Sequence, residues 1–466
     1  MSAINDCRRL MLASLALAAL LAGCASNPPP AAEAAPARLQ RAAVAEQLPV
    51  AAGAPADNAS LAWRDWVREP RLASWVTLAL QNNRDLRVAM LNVQRARAQL
   101  SLADASRLPT LGVGLGAARA PNSRGQEATV LTAGLQVSAW ELDLFGRLAS
   151  LSDAARAQWL ATEAGRQAGE LTLVAAVVQA GLALQADDEL TVLARQTLVS
   201  REQSLQLTQL RESVGAASQL ELQAQLTLTA QGRATLAQLI RQQAQDGNAL
   251  ALLLGQPVPE RPASSGPVLA DERWLAEVPI GLSSAVLLRR PDVIAAEQTM
   301  RAAQANIAAA RAAFWPTISL TGQAGQASPQ LSGLFQGGNF VYTLAANALL
   351  TVFDAGRRQA NVDAAQAAQQ IAQAQYERSI QSAFRDTADA LAGLATWRDQ
   401  LAAQREQRDA ARETARLTEL KASQGAASVL ERLDAQRALW AAEQAVVQVR
   451  LAELANRVTL YKALGG

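Results

Sequence analysis

The chain repeats itself, and the repeat leaves little freedom in how it can fold. Asn83-Arg84-Asp85-Leu86 leads to Leu108-Pro109-Thr110-Leu111, and Arg290-Pro291-Asp292-Val293 leads to Trp315-Pro316-Thr317-Ile318. Asp85 and Asp292 are 207 residues apart, and so are Pro109 and Pro316. Phe145-Gly146-Arg147 and Ala355-Gly356-Arg357 match at a spacing of 210, as do Gly215-Ala216-Ala217-Ser218 and Gly425-Ala426-Ala427-Ser428. Landmarks in one order at nearly one spacing mark a duplicated unit. The repeats run over 62–254 and 285–466, and the connector 255–284 between them holds Pro257, Pro259, Pro262, Pro267 and Pro279.

Each half reads helix, two strands, long helix, turn, helix. Proline is absent from Asn122 to Gln256 and from Gln330 to Gly466, so long helices are allowed there. Arg147–Val214 and Arg357–Gln424 are 68 residues each. At 1.5 Å per residue, either could approach ~100 Å if unbroken. Gly165, Gly169 and Gly181 predict a bend or break in the first. Half of the residues are hydrophobic but only 4% are aromatic. That Ala/Leu-rich composition suits helices packed along their length.

The first residues read as an address. Arg8 and Arg9 precede the 13-residue apolar run Leu10–Ala22, then Gly23 and Cys24. A basic start, a short apolar run and small residues at the cut describe an export signal over 1–23. Leu21-Ala22-Gly23-Cys24 resembles a lipobox, in which the cysteine is acylated. From Cys24 to Leu61 the chain is rich in Ala and Pro and reads as an extended tether. The best remaining candidate for a spanning helix, Leu171–Ala186, is 16 residues long and reads as a buried part of the long helix.

Several functions are closed off. Histidine is absent, which removes Ser-His-Asp, Cys-His and His-zinc chemistry. Cys7 and Cys24 are the only cysteines, so the body of the protein holds no disulfide or Cys-based metal site. A formal net charge of +2 gives no nucleic-acid footprint. The expectation is a non-enzyme with no cofactor or metal beyond a lipid on Cys24.

The strands alternate. Leu131, Ala133, Leu135, Val137 and Ala139 share one face against Thr132, Gly134, Gln136 and Ser138. Leu111, Val113 and Leu115 alternate with Gly112, Gly114 and Gly116. Ile318 and Leu320 oppose Thr317, Ser319, Thr321 and Gln323, and Tyr342, Leu344, Ala346 and Ala348 oppose Thr343 and Asn347. A sandwich could alternate in this way too; the export signal favours a barrel with lipid outside and water inside. Four strands cannot close a barrel, and open edges in lipid leave backbone groups unpaired. The barrel must be shared with copies of the chain. Three copies give twelve strands, and the pattern alone permits other numbers.

With these features the chain resembles the TolC/OprM-type outer-membrane factors, and within them the NodT-like lipoproteins of RND efflux systems. Trp63, Trp66 and Pro70 ahead of Asn83-x-Asp85-Leu86 carry the likeness, with Trp140-Glu141-Leu142-Asp143-Leu144-Phe145-Gly146-Arg147. So do Gly281-Leu282, Leu287-Leu288-Arg289-Arg290-Pro291-Asp292-Val293 and Phe353-Asp354-x-Gly356-Arg357. The resemblance implies a mainly α fold with a membrane β-barrel: a homotrimer with a twelve-stranded barrel and a periplasmic α-helical barrel. It implies a lipid-anchored, barrel-spanning location in the outer membrane of a Gram-negative bacterium, reaching into the periplasm. The partners it implies are a periplasmic adaptor and an inner-membrane RND pump, with no catalysed step. Small drugs or toxic compounds are the implied cargo; metal efflux, type I protein secretion, and a non-conducting trimeric envelope scaffold are the alternatives.

Two places are candidates for function. The turns at Gly215 and Gly425 each have a cation four residues earlier, Arg211 and Lys421, and a serine three later, Ser218 and Ser428. Helix capping explains this pattern, and the resemblance adds adaptor contact. Beyond the turns lie Glu221, Glu431 and Asp434. Surface pairing, such as Asp434 with Arg437, accounts for them; the resemblance instead implies a periplasmic gate at Glu431 and Asp434, with Glu221 as a third member. Trp140 and Trp315 suit either interfacial anchoring or packing where strands meet helices. Replacing Cys24 with Ser should abolish lipid attachment, read by mass spectrometry of the mature N-terminus; an acylated Cys24→Ser protein would reject the lipobox.

Overall fold

The computed structural model describes residues 62–121, 125–259, 269, 274–278, 284–334, 336 and 339–466. The export signal, Cys24, the tether and Gly281-Leu282 lie outside the described residues. In chain order the helices are α1 (Trp63–Trp66), α2 (Pro70–Asn82) and α3 (Arg84–Ala105), followed by β1 (Leu111–Pro121) and β2 (Glu127–Leu142). Then come α4 (Arg147–Ser213) and α5 (Gln219–Leu254). The second half runs α6 (Pro291–Ala312), β3 (Thr317–Ser328), β4 (Phe340–Leu349), α7 (Arg357–Ser423) and α8 (Val429–Ala463).

α4 and α7 are each 67 residues long, ~100 Å at the helical rise. The break expected at the glycines of α4 does not occur. Gly181 is buried, and the place of its missing Cβ is filled by Leu72 and Trp75 of α2. At Gly181 this packing outweighs the propensity loss of about 1 kcal/mol; Gly165 and Gly169 have open space beside them and do not break the helix either.

Both long helices start in the same way. The Asp143 carboxylate accepts from the amides of Leu148 (3.0 Å) and Ala149 (2.7 Å), and Gly146 takes a left-handed φ of 72°. In the second half Asp354 accepts from the amides of Gly356 and Arg358, and Gly356 has φ 83°. The Gly-Arg motifs are therefore strand-to-helix turns with a carboxylate at the helix start.

The main core lies partway along α4. Leu173, Val174, Val177, Val178, Leu182 and Leu184 pack against Trp66, Leu72, Trp75 and Val76 from the N-terminal side, and against Leu250 and Leu254 of α5. Leu454, Val458 and Tyr461 of α8 join the same cluster. The rings of Trp66 and Tyr461 stack at 3.9 Å. The uncharged stretch of α4 is thus a packing surface, as expected.

The repeat is visible in the bonds. Asn83 donates from Nδ2 to the Leu253 carbonyl (3.0 Å), and Arg290 donates from Nη1 to the Ala463 carbonyl (2.9 Å). Each half ties the start of its short helix to the end of its last helix. Farther along, Glu202 of α4 pairs with Arg233 of α5 (2.8 Å), and Arg412 of α7 pairs with Glu443 of α8 (2.9 Å). The sites correspond at the repeat spacing of 210, and the charges are exchanged.

The four strands form one antiparallel sheet in the order β1-β2-β3-β4. Register places Leu111, Val113, Leu115, Leu131, Leu135, Val137, Ile318, Leu320, Tyr342 and Leu344 on one face. The expected place of Ala139 on that face is corrected. Ser138 and Ala139 form a bulge between Val137 and Trp140, with Ala139 at φ 50°. The extra residue shifts the alternation by one, so Trp140 and Leu142 continue the apolar face.

Reversing one charge of the α4–α5 seam, as in Glu202→Arg, should lower hairpin stability by about 0.5 kcal/mol, since both partners are solvated. Adding Arg233→Glu should restore it. Hydrogen exchange across the seam is the measurement, and a double variant no better than the single one would contradict the pairing.

Candidate functional site

The helical hairpins α4–α5 and α7–α8 end in matched turns. Gly215 and Gly425 both have φ 75°, a left-handed conformation that glycine adopts without strain. The Ala216 amide donates to the Arg211 carbonyl (2.7 Å), and the Ala426 amide to the Lys421 carbonyl (2.8 Å), closing each preceding helix. Arg211 also donates through Nη2 to the Ala216 carbonyl.

Each following helix opens with a capping box. Ser218 Oγ accepts from the Glu221 amide, and the Glu221 carboxylate accepts from the Ser218 amide (2.9 Å). Ser428 and Glu431 repeat this, with the carboxylate taking both the Ser428 amide (2.7 Å) and its hydroxyl (2.9 Å). Two free helix-end donors are satisfied at each tip. The amide of Ser428, its hydroxyl and the charge of Lys421 hold the Glu431 carboxyl below its ordinary range, so it is ionised at neutral pH. Asp434 pairs with Arg437. Burial, and after it the charge of Arg437, lower the pKa of Arg201 on α4.

All the residues singled out at the tips fall where expected: Arg211, Gly215, Ser218 and Glu221 at one, Lys421, Gly425, Ser428, Glu431 and Asp434 at the other. Within one chain, capping and local pairing account for their contacts. Sequence reasoning passed over the apolar residues around them. Val214 is 73% exposed, Leu220 81% and Leu430 64%. Apolar side chains flanking a polar turn were the available signal.

At the opposite ends of α4 and α7 stands the sheet. Its apolar face is bare: Val113 is 81% exposed, Leu115 79%, and Leu344 and Tyr342 76% each. Trp140 donates from Nε1 to the Arg107 carbonyl (3.0 Å), and Trp315 stacks on Phe145 at 5.3 Å. Both tryptophans pack where strands meet helices.

The family description for outer membrane efflux proteins matches residues 75–256 and 282–466, one match per half. The chain belongs to the outer membrane efflux protein family. The antibiotic efflux pump outer membrane protein ArpC of Pseudomonas putida is 40% identical over 469 residues, covering 98% of this chain and 95% of that one. The toluene efflux pump outer membrane protein TtgC, also of Pseudomonas putida, is 41% identical over 411 residues, covering 87% and 84%. In structure, the chain is similar to the open state of the Neisseria gonorrhoeae MtrE outer membrane channel. The TM-score is 0.82 at 35% identity, over 91% of this chain and 96% of that one.

This efflux protein therefore works in the outer membrane as the channel component of an efflux pump.

Ser428→Ala should cost about 1 kcal/mol of local helix stability, read as faster exchange of the first α8 amides. Acidification should mimic it. The carboxyl of Glu431 is lowered in the folded chain, so its contribution is present at neutral pH and lost as pH falls through that lowered value. The measure is protection relative to an unstructured amide at the same pH, and constant protection across that range would show the box to be idle.

Proposed function

We propose that three copies of this chain close a twelve-stranded barrel in the outer membrane and conduct small molecules passively through it. The observation that carries this reading is a four-stranded sheet with β1 and β4 as its two edges and one large apolar face left largely bare. An edge in hydrocarbon leaves backbone groups unpaired at several kcal/mol each, and pairing β4 of one copy with β1 of the next removes both edges. Strands β1, β3 and β4 are 11, 12 and 10 residues long, which matches the bilayer.

The long helices then continue the conduit through the periplasm. The exposed Val214, Leu220 and Leu430, with Arg211, Gly215, Ser218, Lys421, Gly425 and Ser428, form the surface offered to a periplasmic adaptor. An inner-membrane RND pump supplies the energy. Residues 62–254 and 285–466 act as the two repeats, joined by 255–284. Cys24 carries the lipid that ties the N-terminus to the same membrane. Relatives named for antibiotics and for toluene support a cargo of small drugs or toxic compounds.

Three copies of Glu431 and Asp434, with Glu221 nearby, bring like charges together at the closed end. Such rings favour cations and hold the mouth in a state sensitive to their charge. Reconstitution of the full-length protein into planar bilayers tests both parts. Discrete conductance steps are expected, and their absence would defeat the channel. Glu431→Gln with Asp434→Asn should raise conductance at least about two-fold, by analogy with charged-ring constrictions. Glutamine still accepts the capping bonds, so the fold of the tip is kept; unchanged currents would defeat the gate.

A further inference from the structure

The sheet's second face is small and polar. It holds Gly112, Gly114, Gly116, Thr132, Gly134 and Gln136 from the first half, and register adds Thr321, Gln323, Thr343 and Asn347 from the second. Among the described strand residues on this face, the one ionisable side chain is Glu141, at the helix end, where Arg147 bonds it at 2.9 Å. The charged pair at the far end, Arg119 with Glu127, belongs to the apolar face, at its rim.

The polar side chains on this face do not all stand up from the sheet. A Cβ on Gly114 would lie 2.9 Å from both Cδ and Nε2 of Gln136, so the Gln136 amide occupies the space above that glycine. A Cβ on Gly116 would lie 2.8 Å from Thr132 Oγ1. Gly112 is different, with Gln136 Cγ at an ordinary 3.8 Å. Gly134 and Gly325 oppose each other across β2 and β3, and a Cβ on either would strike the backbone of the other strand. Side-chain vectors that run into the neighbouring strand belong to the inside of a sharply folded sheet, so this face is the concave one.

We propose that Gln136 and Thr132, laid against Gly114 and Gly116, are specificity-determining residues of the strand-lined section: they keep its bore wide and its wall free of charge. That section then sorts solutes by size and not by sign. Any preference for one charge arises elsewhere along the conduit. This inference rests on the channel reading above and deepens it.

Two independent measurements test it on the full-length protein in planar bilayers. In the first, Gly114→Ala displaces the Gln136 amide into the bore and should reduce single-channel conductance by roughly a tenth or more, because passage depends on pore diameter and lining. Gly112→Ala should leave it unchanged, and Gln136→Ala added to Gly114→Ala should restore it. Equal currents from Gly114→Ala and the unaltered protein would overturn the bore assignment. In the second, Thr343→Cys places a thiol on this face in a chain whose other cysteines are Cys7 and Cys24. Cationic and anionic methanethiosulfonates should modify it in a rate ratio within about two-fold of that for a small free thiol, as a wall without fixed charge requires. A ratio shifted about ten-fold or more would overturn the claim of a charge-free wall, whatever the glycine variants do. If the unaltered protein shows no conductance steps, the channel reading itself falls. If it conducts and either measurement gives the contrary result, only the present inference falls.

Discussion

The buried middle of α4 is the contact on which the described structure depends. Most helical stability in a protein comes from the packing of an apolar face, and α4 buries one in its middle. Along Leu173–Leu184 that packing is shared between the halves: α2 and α5 approach from the first, α8 from the second. The same segment holds Gly181, which admits Leu72 and Trp75 at close range. Two weakly apolar repeats are thereby fused into one body, and the long arms beyond the belt can remain slender and well exposed.

At one end of those arms, the sheet follows a different rule. One face of the sheet stays apolar along β2 from Leu131 to Leu142. A strand that feeds a helix must also turn its last residues in a new direction. The Ser138–Ala139 bulge meets both demands: it keeps Trp140 and Leu142 on the apolar face, and it leaves Glu141 on the concave one to bind Arg147. The carboxylate of Asp143 then takes the first free amides of α4. One irregularity thus joins barrel geometry to helix geometry.

Much of this was legible in the sequence because it rests on local chemistry. Proline-free spans, Gly-Arg turns and Gly-Ala-Ala-Ser tips all act within a few residues, and each stands where its spacing placed it. The strand faces were legible up to Val137, where period-two alternation holds. Beyond it, the bulge misled the reading of Ala139, because the change of phase shows only in Trp140-Glu141-Leu142, past the residues taken as alternating. The continuity of α4 through its glycines was hidden for another reason: Leu72 and Trp75 are remote from Gly181 in sequence, and only the fold brings them onto it. At the tips, the capping roles of Ser218 and Ser428 were readable. The exposure of Val214, Leu220 and Leu430 was not, since burial is a property of the folded chain.

Duplication creates a problem of recognition for the chain itself. Helices α5 and α8 occupy corresponding places in the two repeats, and so do α4 and α7. The exchanged polarity of the two seams tells them apart. A wrong pairing of α4 with α8 would set Glu202 against Glu443, and one of α7 with α5 would set Arg412 against Arg233. Individually these pairs add little to the finished molecule. What the exchanged signs change is the cost of an error: a mismatched seam would bring two like charges together where the native one joins opposites.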